Sequence, residues 1–441
     1  MVSLAAVLAV AAFAFSPPPA APVGLPDSGL TRLTGGSPFP ASCEARGAQR
    51  GSEVEPSIAA GPGILVATWQ QDRYLRGAAA GIGVAVSNDG GVSWRFSRVP
   101  QITECTPLFN HGSDPWVSVG ADGSAYLGAL VGRPDRAGFR TRVAISASHD
   151  GGASWAPPAL LDAGGNGFND KPSVTADPVH PGRAYAVWAL QGQAYLARTR
   201  DGGRSWSPPR LMERAPPGGG LLSSTIAVLP GRGGRLLHTF IAYGRGGFRL
   251  EATRSRDGGA HWSAPSLVAR LVRRSTSPPG VRVLAISGTG AAITGSGAAY
   301  EACVRRTEVD VARSSDGGGT WERPRAAVRH GGGVFGASLA AAPGDGTLAL
   351  SYYVRAPHGQ ASFWIAISSD GVRWQRRRLT PPFALARAPR SGGAAFLGDY
   401  SGLTALSGGD GGFSAAFAVA PPLASRGASD VLVARVEPGR P

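Results

Sequence analysis

The chain has 441 residues, of which 65 are Gly and 36 are Pro; 43% are hydrophobic and 17% are charged. A disordered chain would be poorer in apolar residues and richer in charge. Long helices would not tolerate this much Gly and Pro, and the clustered glycines do not follow the three-residue period of collagen. The composition therefore predicts a globular, turn-rich, all-β protein with enough chain to bury a core.

The formal net charge is +15, and every basic residue except Lys171 is an Arg. A chain rich in Arg, Ala, Gly and Pro but poor in Lys and Asn is typical of a GC-rich genome, so the Arg excess does not by itself indicate a nucleic-acid partner. The arginines are scattered, apart from the run at residues 376–378. We therefore expect no nucleic-acid partner and a basic surface that favours solubility and attracts polyanions.

The N-terminus predicts export. Residues 2–15 form an apolar run that is too short to span a membrane comfortably, and small residues and a Pro-rich stretch follow it. This pattern predicts a signal peptide over residues 1–21, although the basic n-region is missing; a disordered apolar tail is the alternative. Residues 22–50 are interpreted as a Pro-rich spacer and ring-closing segment, and no other segment is a candidate for crossing a membrane.

Three cysteines, Cys43, Cys105 and Cys303, make an odd count. In an oxidising compartment they allow one disulfide and one free thiol. Cys43 and Cys105 flank the same stretch of chain, which favours that pair.

An eight-residue pattern of Ser or Thr, a variable residue, Asp, two Gly and a closing Trp recurs along the chain, and its sixth copy is one residue shorter. The copies lie at residues 87–94, 148–155, 199–206, 255–262, 314–321 and 368–374. Their aspartates are Asp89, Asp150, Asp201, Asp257, Asp316 and Asp370. These are spaced 51 to 61 residues apart, and a period in this range indicates a propeller or a solenoid.

The chemistry of each copy is that of a β-turn, in which the hydroxyl and the carboxylate accept backbone N–H bonds and the glycines supply positive φ. An alternating strand precedes each copy, for example residues 82–86, and a short strand follows most copies. Two further strands lie upstream, for example residues 56–60 and 64–70. Each unit is therefore a four-stranded meander, and radial packing of such sheets protects their edges.

This pattern is identified as the Asp box, and the chain resembles the sialidase (neuraminidase) superfamily of BNR-repeat β-propellers, including bacterial secreted sialidase-like proteins. The resemblance implies a propeller over residues 51–441, with the six boxes as structural turns on the outer rim. Six box-bearing units and a box-free unit near residues 398–436 favour seven blades, the last completed by a strand from residues 30–49. Six blades is the alternative.

The resemblance also implies where catalytic residues would lie. Sialidases use an Arg triad, a Tyr nucleophile paired with a Glu, and an Asp acid/base. Here Arg73 matches the second Arg, and Asp399-Tyr400 matches the nucleophile segment, with Glu251 or Glu301 as its partner. The chain departs from the family at the first Arg, where residues 53–58 carry acids, and at the acid/base Asp, because residues 74–83 contain no acid.

Four predicted inner strands begin with an acid, in Glu55-Pro56, Asp114-Pro115, Asp170-Lys171-Pro172 and Asp399-Tyr400. Because inner strands of a propeller converge on its axis, these groups are expected to form a ring at one mouth. The ligand-binding candidates are Glu55, Asp72, Asp114, Asn169 and Lys171, and the catalytic candidates are Tyr400, Asp399, Arg73 and Asp170. Glu55, Asp114 and Asp170 are candidates for Ca²⁺, which prefers oxygen ligands; otherwise the acids cap their strands.

The sequence therefore predicts an exported propeller that requires no cofactor, with Ca²⁺ as the one candidate ion. At its axial pocket it binds an extracellular glycan or glycoconjugate, and hydrolysis by a carboxylate pair is one extension of that reading. The alternatives are a non-catalytic interaction propeller for a protein or a cell-wall polymer, and a true exo-sialidase with Tyr400 as nucleophile. Fold alone does not choose between them.

Overall fold

A computed structural model describes most of the chain. The described residues are 23–24, 29–39, 47–103, 109–135, 138–161, 167–231, 234–271, 280–282, 290–407, 412–424 and 427–437. The predicted signal peptide, Cys43 and Cys105 lie outside them. Within them Cys303 is a free, buried thiol, and no helix is long and apolar enough to cross a membrane.

The regular structure of the described residues is strand, with two short 3-10 turns at Pro357–Gly359 and Leu385–Arg387. One sheet has eight strands: β3 (Glu53–Gly61), β4 (Ile64–Arg73), β5 (Ala79–Ser87), β6 (Arg95–Phe96), β7 (His111–Val119), β8 (Ala125–Asp135), β9 (Gly138–Ser148) and β10 (Ala159–Leu161). Its two meanders are joined by a single residue pair between β5 and β7, Ala79 with Gly112.

Three sheets of four antiparallel strands follow. They contain β11 (Asn169–Ala176), β12 (Ala184–Leu190), β13 (Gln193–Thr199) and β14 (Arg210–Glu213); then β15 (Gly220–Val228), β16 (Leu236–Gly244), β17 (Gly247–Ser255) and β18 (Ser266–Leu271); then β19 (Ala292–Ile293), β20 (Ala299–Val304), β21 (Glu308–Ser314) and β22 (Arg325–Arg329).

Two sheets of five strands and one short hairpin complete the described strands. The first contains β23 (Val334–Ala341), β24 (Leu348–Ala356), β25 (Gln360–Ser368), β26 (Gln375–Arg378) and β27 (Phe383–Ala384); the hairpin is β28 (Arg390–Ser391) with β29 (Ala394–Ala395). The last sheet contains β30 (Gly402–Ala405), β31 (Phe413–Val419) and β32 (Asp430–Val436), with β2 (Leu30–Arg32) and β1 (Val23–Gly24) from the N-terminal region.

The sheets form a closed ring, which confirms the predicted all-β propeller of four-stranded antiparallel blades. The inner strands contact one another in the order β3, β7, β11, β15, β19, β23 and β30, and β30 lies beside β3. Side-chain hydroxyls bridge neighbouring inner strands: Ser173 Oγ donates to the Ser224 carbonyl at 3.0 Å, and Thr175 Oγ1 to that of Ile226 at 2.7 Å.

Five sheets are separate blades of four or five strands, and β3–β10 form one continuous sheet of double length. The structure therefore does not separate the seven blades that the sequence favoured, or the six of the alternative. Strand β2, from the segment interpreted as ring-closing, pairs antiparallel with β32 of the last sheet.

The core lies between facing sheets, which explains why the middle strands are apolar on both faces. Every residue of β4 is buried, and Val84 and Val86 of β5 belong to the same cluster as Val117 and Leu127, which lie on the other meander of the eight-stranded sheet. Such doubly buried strands appear in a sequence as nearly continuous apolar runs.

The six repeated turns share one hydrogen-bond pattern. In the copy at residues 199–206, Thr199 Oγ1 donates to Asp201 Oδ1 at 2.8 Å and accepts the Gly203 amide at 2.9 Å, while the Ser205 amide donates to Asp201 at 2.9 Å. Gly202 and Gly203 have φ of 77° and 84°, where glycine is favoured. All six aspartates accept bonds within their own turns, so these side chains hold the turn.

Candidate functional site at the axial mouth

Five inner strands, β3, β7, β11, β15 and β23, carry a β-bulge near their first residues. These bulges set the geometry of the mouth. The pairing register shifts between Val54 and Ser57, and in the same way in β7, β11, β15 and β23. The first bulged residue has positive φ in every case: Glu55 (54°), Asp114 (48°), Lys171 (47°), Ser223 (51°) and Gly336 (58°). The matching position in the sheet of β11–β14 is therefore Lys171, whereas the sequence had suggested Asp170.

Positive φ at a non-Gly residue costs about 1–3 kcal/mol and is concentrated at functional sites. Three of the four non-Gly positions in this set carry ionisable side chains, which rarely lie in buried positions without a partner. Bulges next to active sites re-aim a side chain. The local backbone thus brings Glu55, Asp114 and Lys171 together from three consecutive inner strands.

Lys171 lies at the centre of the cluster. Its Nζ is 2.8 Å from Asp399 Oδ2 and 3.2 Å from Asp114 Oδ1, and its side chain is 14% exposed. Burial alone would lower the pKa of the ammonium, but Asp399, Asp114, Glu55 and Asp170 together hold that pKa well above its usual value. Lys171 is therefore a fixed cation that links the sheet of β11–β14 to Asp114 in the eight-stranded sheet and to Asp399, which precedes the last sheet.

Glu55 is the most deeply buried acid of the cluster, at 3% exposure. Its carboxyl accepts the Gln70 side-chain amide and, at 3.2 Å, the Asp399 backbone amide. Burial and the nearby Asp114 charge raise the pKa of Glu55 to about 8, so this group is mostly protonated at neutral pH. Gly398 makes the approach possible, because a Cβ there would lie 2.7 Å from the Glu55 nitrogen.

Asp170 lies at the edge of the cluster and is partly exposed. Burial and the charge of Asp114 raise the pKa of Asp170 to about 6. A carboxyl group with such a pKa exchanges protons near neutral pH, which is the property required of a general acid or base.

Arg73 is buried behind the cluster and does not reach into the mouth. Its guanidinium donates to Gln70 Oε1 at 2.6 Å and to Ser391 Oγ at 3.3 Å, and it stacks on Phe396 at 4.0 Å. Through Gln70 it orients the amide that faces Glu55. Arg73 is thus a positioning residue, and burial lowers its pKa.

Tyr400 and Trp116 form an aromatic wall beside the charges. Their ring centroids are 5.6 Å apart in an edge-on arrangement, and both side chains are partly exposed. The Tyr400 hydroxyl donates to the Pro115 carbonyl at 2.9 Å. Burial and the carboxylates Glu55, Asp114 and Asp399 raise the pKa of Tyr400 well above its usual value, whereas an activated nucleophile needs an adjacent base or a lowered pKa.

Two residues assigned to ligand binding from the sequence have structural contacts instead. Asp72 is fully buried and accepts the Gly51 amide at 2.8 Å and the Ser37 hydroxyl, so it anchors the N-terminal segment. Asn169 is buried and donates to the Thr141 carbonyl at 2.6 Å, which ties β11 to β9. Both side chains are occupied by contacts within the fold, Asp72 with the N-terminal segment and Asn169 with β9.

The acids proposed for Ca²⁺ surround an ammonium group. Lys171 lies between Asp114 and Asp399, and within the part of the chain that the structure describes no group of three or more His, Cys, Asp or Glu side chains is placed to hold a metal ion. The geometry does not favour the predicted Ca²⁺ site.

Neither predicted Glu partner of Tyr400 is placed to serve it. Glu251 forms an ion pair with Arg249 at 2.7 Å in the sheet of β15–β18. Glu301 is buried on β20, and burial raises its pKa to about 8. The carboxylates whose charges act on Tyr400 and raise its pKa are instead Glu55, Asp114 and Asp399.

Three residues of the site escaped sequence reasoning. Gln70 bonds to Glu55 and Arg73, Ser113 donates to Asp114 Oδ2 at 2.8 Å, and Phe396 stacks between Arg73 and Arg282. Only the position of Ser113 before Asp114-Pro115 offered a signal, because Gln70 and Phe396 stand in ordinary strand and loop sequence.

The fold is similar to those of several solved structures. They include a protein of unknown function from Dyadobacter fermentans (14% identity, TM-score 0.48, covering 93% of this chain and 99% of that one) and the Hadza microbial sialidase Hz136 (16%, 0.48, 82% and 74%). A third is a Penicillium chrysogenum α-L-arabinanase complexed with arabinobiose (14%, 0.45, 86% and 92%). No protein-family model and no curated protein matches the sequence.

Proposed function

We propose that the axial mouth binds an uncharged, hydroxyl-rich sugar unit of an extracellular glycan. The observation that carries the proposal is the convergence of Glu55, Asp114, Lys171 and Asp399 beside the Trp116–Tyr400 wall. Carboxylates, ammonium and protonated carboxyl groups supply both acceptors and donors for sugar hydroxyls, and aromatic rings pack against the apolar face of a sugar.

A buried, strained cluster of charges of this kind is not an efficient way to stabilise the fold. Apolar side chains of similar volume often stabilise a buried position as well as or better than an ion pair, and each positive φ adds strain. A cluster that is both charged and strained is thus better explained by ligand recognition than by strand capping.

Hydrolysis is the second candidate, and the carboxyl groups of the mouth favour it. Asp170 and Glu55 have raised pKa values, of about 6 and about 8, while Lys171 holds Asp114 and Asp399 as ion-pair partners. In the acid and base pairs of glycosidases, the local environments give neighbouring carboxyl groups different pKa values. In this reading Asp170, the most exposed, is the proton donor.

The exo-sialidase alternative has less support. The mouth gathers acids, which repel a sialic acid carboxylate, and Arg73 is engaged by Gln70, Ser391 and Phe396. Tyr400 donates its hydroxyl hydrogen to a backbone carbonyl. An interaction propeller for a protein or cell-wall polymer remains the alternative from another class.

Binding is tested by a glycan array followed by calorimetry on the wild type and on the Trp116→Leu, Asp114→Asn and Lys171→Met variants. We expect each variant to lose roughly tenfold or more in affinity, while Asp345→Asn, in an exposed turn, serves as the matched control and retains it. Full affinity in all three site variants, with unchanged Tm, would contradict the proposal.

Hydrolysis is tested on the same proteins with a fluorogenic glycoside panel that includes a sialoside. Turnover that is lost in Asp170→Asn while binding persists supports the acid/base role. Sialoside turnover that is lost in Tyr400→Phe would establish the exo-sialidase reading instead. Glycan binding without turnover on any substrate identifies a binding module.

The proposed architecture treats the eight-stranded sheet as two blades, because one residue pair alone joins its meanders. This gives seven blades, with the six repeated turns as structural Asp boxes. The protein acts outside the cytoplasm in this proposal, on the basis of the apolar residues 2–15. Fractionation of expressing cells tests the location.

A further inference from the structure

A cleft far from the axial cluster lies on the rim, between the sheet of β11–β14 and the sheet of β15–β18. It has a volume of about 240 Å³ and is lined by Arg183, Arg198 and Arg200, with Tyr185 at its wall and Asp257 and Gly258 on the far side. Arg183 directly precedes β12, Arg198 belongs to β13, and Arg200 is part of the repeated turn.

Three arginines line this cleft and Asp257 is the one carboxylate among its lining residues, so the cleft keeps a net positive charge. The Asp257 carboxylate is occupied by its own turn, accepting the His261 amide at 3.0 Å and contacting the His261 ring at 2.7 Å. Arg198 donates to the Gly258 carbonyl at 2.6 Å. In the described part of the chain, no carboxylate forms an ion pair with Arg183 or Arg200.

The next sheet repeats the arrangement. Arg235 directly precedes β16, and Arg254 and Arg256 flank Ser255 of the following repeated turn, so they match Arg183, Arg198 and Arg200 by strand register. In the sheet of β23–β26 the same three positions are Thr347, Ile367 and Ser369. A genome-wide preference for Arg acts on every unit alike and therefore does not explain two complete triads in neighbouring sheets.

We propose that these two arginine triads bind an anionic polysaccharide, with one sulfate or carboxylate group seated in each. Guanidinium groups pair with such anions in a bidentate, charge-assisted manner. Two equivalent sites on consecutive sheets suit a chain that carries acidic groups at regular intervals. This site is independent of the function proposed for the axial mouth.

The shape of the cleft favours a polysaccharide over other polyanions. Its volume is below the roughly 300 Å³ at which drug-sized pockets begin, so it accommodates a single acidic group or residue. It is also a recess between two sheets, which a flat membrane surface does not enter. A single sugar substituent reaches such a recess more easily than the phosphates of a stiff duplex.

The experiment measures affinity of the full chain for a heparin-derived oligosaccharide by calorimetry at two salt concentrations. In Arg183→Gln/Arg200→Gln we expect roughly three- to tenfold weaker binding, because two exposed charge pairs are lost. Arg198 is left in place because its bond to Gly258 joins the two sheets. The matched control, Arg325→Gln/Arg378→Gln, removes the same charge from exposed outer strands elsewhere and should bind within about twofold of wild type.

Three results would overturn the proposal. Equal losses in both double variants would show that net charge alone attracts the ligand, and unchanged binding in the triad variant would exclude the cleft. Tighter binding of a short DNA duplex or of anionic vesicles, with the same dependence on Arg183 and Arg200, would assign the site to another partner. Asp114→Asn, which alters the axial mouth, should leave heparin binding unchanged, and equal Tm values confirm that the variants are folded.

Discussion

At the scale of single residues, one backbone conformation places three ionisable side chains at the axial mouth. Glu55, Asp114 and Lys171 occupy the same bulge position in successive strands, each with positive φ. The strain of the positive φ angles and the burial of charged groups both destabilise the folded state. Lys171 offsets part of that cost by joining two carboxylates whose positions in the chain are far apart.

The first prediction concerns Glu55, whose pKa is raised to about 8 by burial and by Asp114. Because the folded state holds the proton more tightly than the unfolded chain, wild-type stability falls as pH rises from about 4.5 to about 8, and no further above that. Glu55→Gln removes this dependence. We expect the Tm difference, variant minus wild type, to increase between pH 5 and pH 8.5, as followed by differential scanning fluorimetry.

The control for this prediction is Glu322→Gln, an exposed acid on the outer rim paired with Arg313. Its Tm difference from wild type should stay constant across the same pH range. A Glu55→Gln variant that loses stability equally at both pH values would show that the carboxyl is ionised throughout.

At the scale of elements, the repeated turns are local devices that position the ends of strands. The first Ser or Thr hydroxyl and the Asp carboxylate of each turn bond within eight residues. The closing Trp packs back towards the sheet; Trp94 Nε1, for example, donates to the Gly91 carbonyl at 3.1 Å. Since all contacts of the carboxylate are local, each turn forms independently of ring closure. This explains why the pattern is legible in the sequence.

The second prediction concerns acid pH. Hydrogen bonds from the Ser205 hydroxyl and amide lower the pKa of Asp201 to about 2, against about 3.9 in an unfolded chain. Its contribution to stability is therefore complete above about pH 4 and is lost as pH falls towards 2. Asp201→Asn should lower Tm at pH 6 but leave a smaller Tm difference at pH 2.5, measured by calorimetry.

Asp122→Asn provides the comparison, because Asp122 lies in a turn outside the repeat and accepts a single amide, that of Ser124, at 3.1 Å. It should change Tm less than Asp201→Asn at pH 6. Equal Tm losses for Asp201→Asn at both pH values would contradict the assigned role of the carboxylate.

At the scale of the whole molecule, the N-terminal segment closes the ring. Strand β2 pairs with β32, Arg32 Nε is 2.9 Å from Asp430 Oδ2, and Thr34 Oγ1 donates to Asp430 Oδ1 at 2.9 Å. The last sheet consists of strands from both ends of the chain. Its stability therefore requires that both ends be present.

The third prediction follows from this closure. Removal of residues 1–36 deletes β2 and the partners of Asp430, and we expect a large drop in Tm and loss of a single cooperative transition. Removal of residues 1–21, the predicted signal peptide, is the matched control and should leave Tm unchanged. Calorimetry of both truncated proteins tests this prediction. Equal Tm values for the two would mean that β2 contributes little to closure.

Much of this protein is determined by local sequence. The strands that precede each turn and the six repeated turns follow from alternation, from glycines and from short-range hydrogen bonding, and the structure contains them. The acids and the lysine at the starts of the inner strands were also recognisable, because a charged residue followed by Pro recurs there in Glu55-Pro56, Asp114-Pro115 and Lys171-Pro172.

Only the tertiary structure decided what these residues contact. The sequence did not indicate that Lys171 instead of Asp170 holds the bulge position, that Asp72 and Asn169 turn into the packing, or that two sets of arginines line neighbouring sheets. Lys171 and Asp399 are 228 residues apart in the chain and meet only when the ring closes. The chemistry of the mouth depends on that closure, because a local pattern specifies a turn or a strand but not which distant side chains it will face.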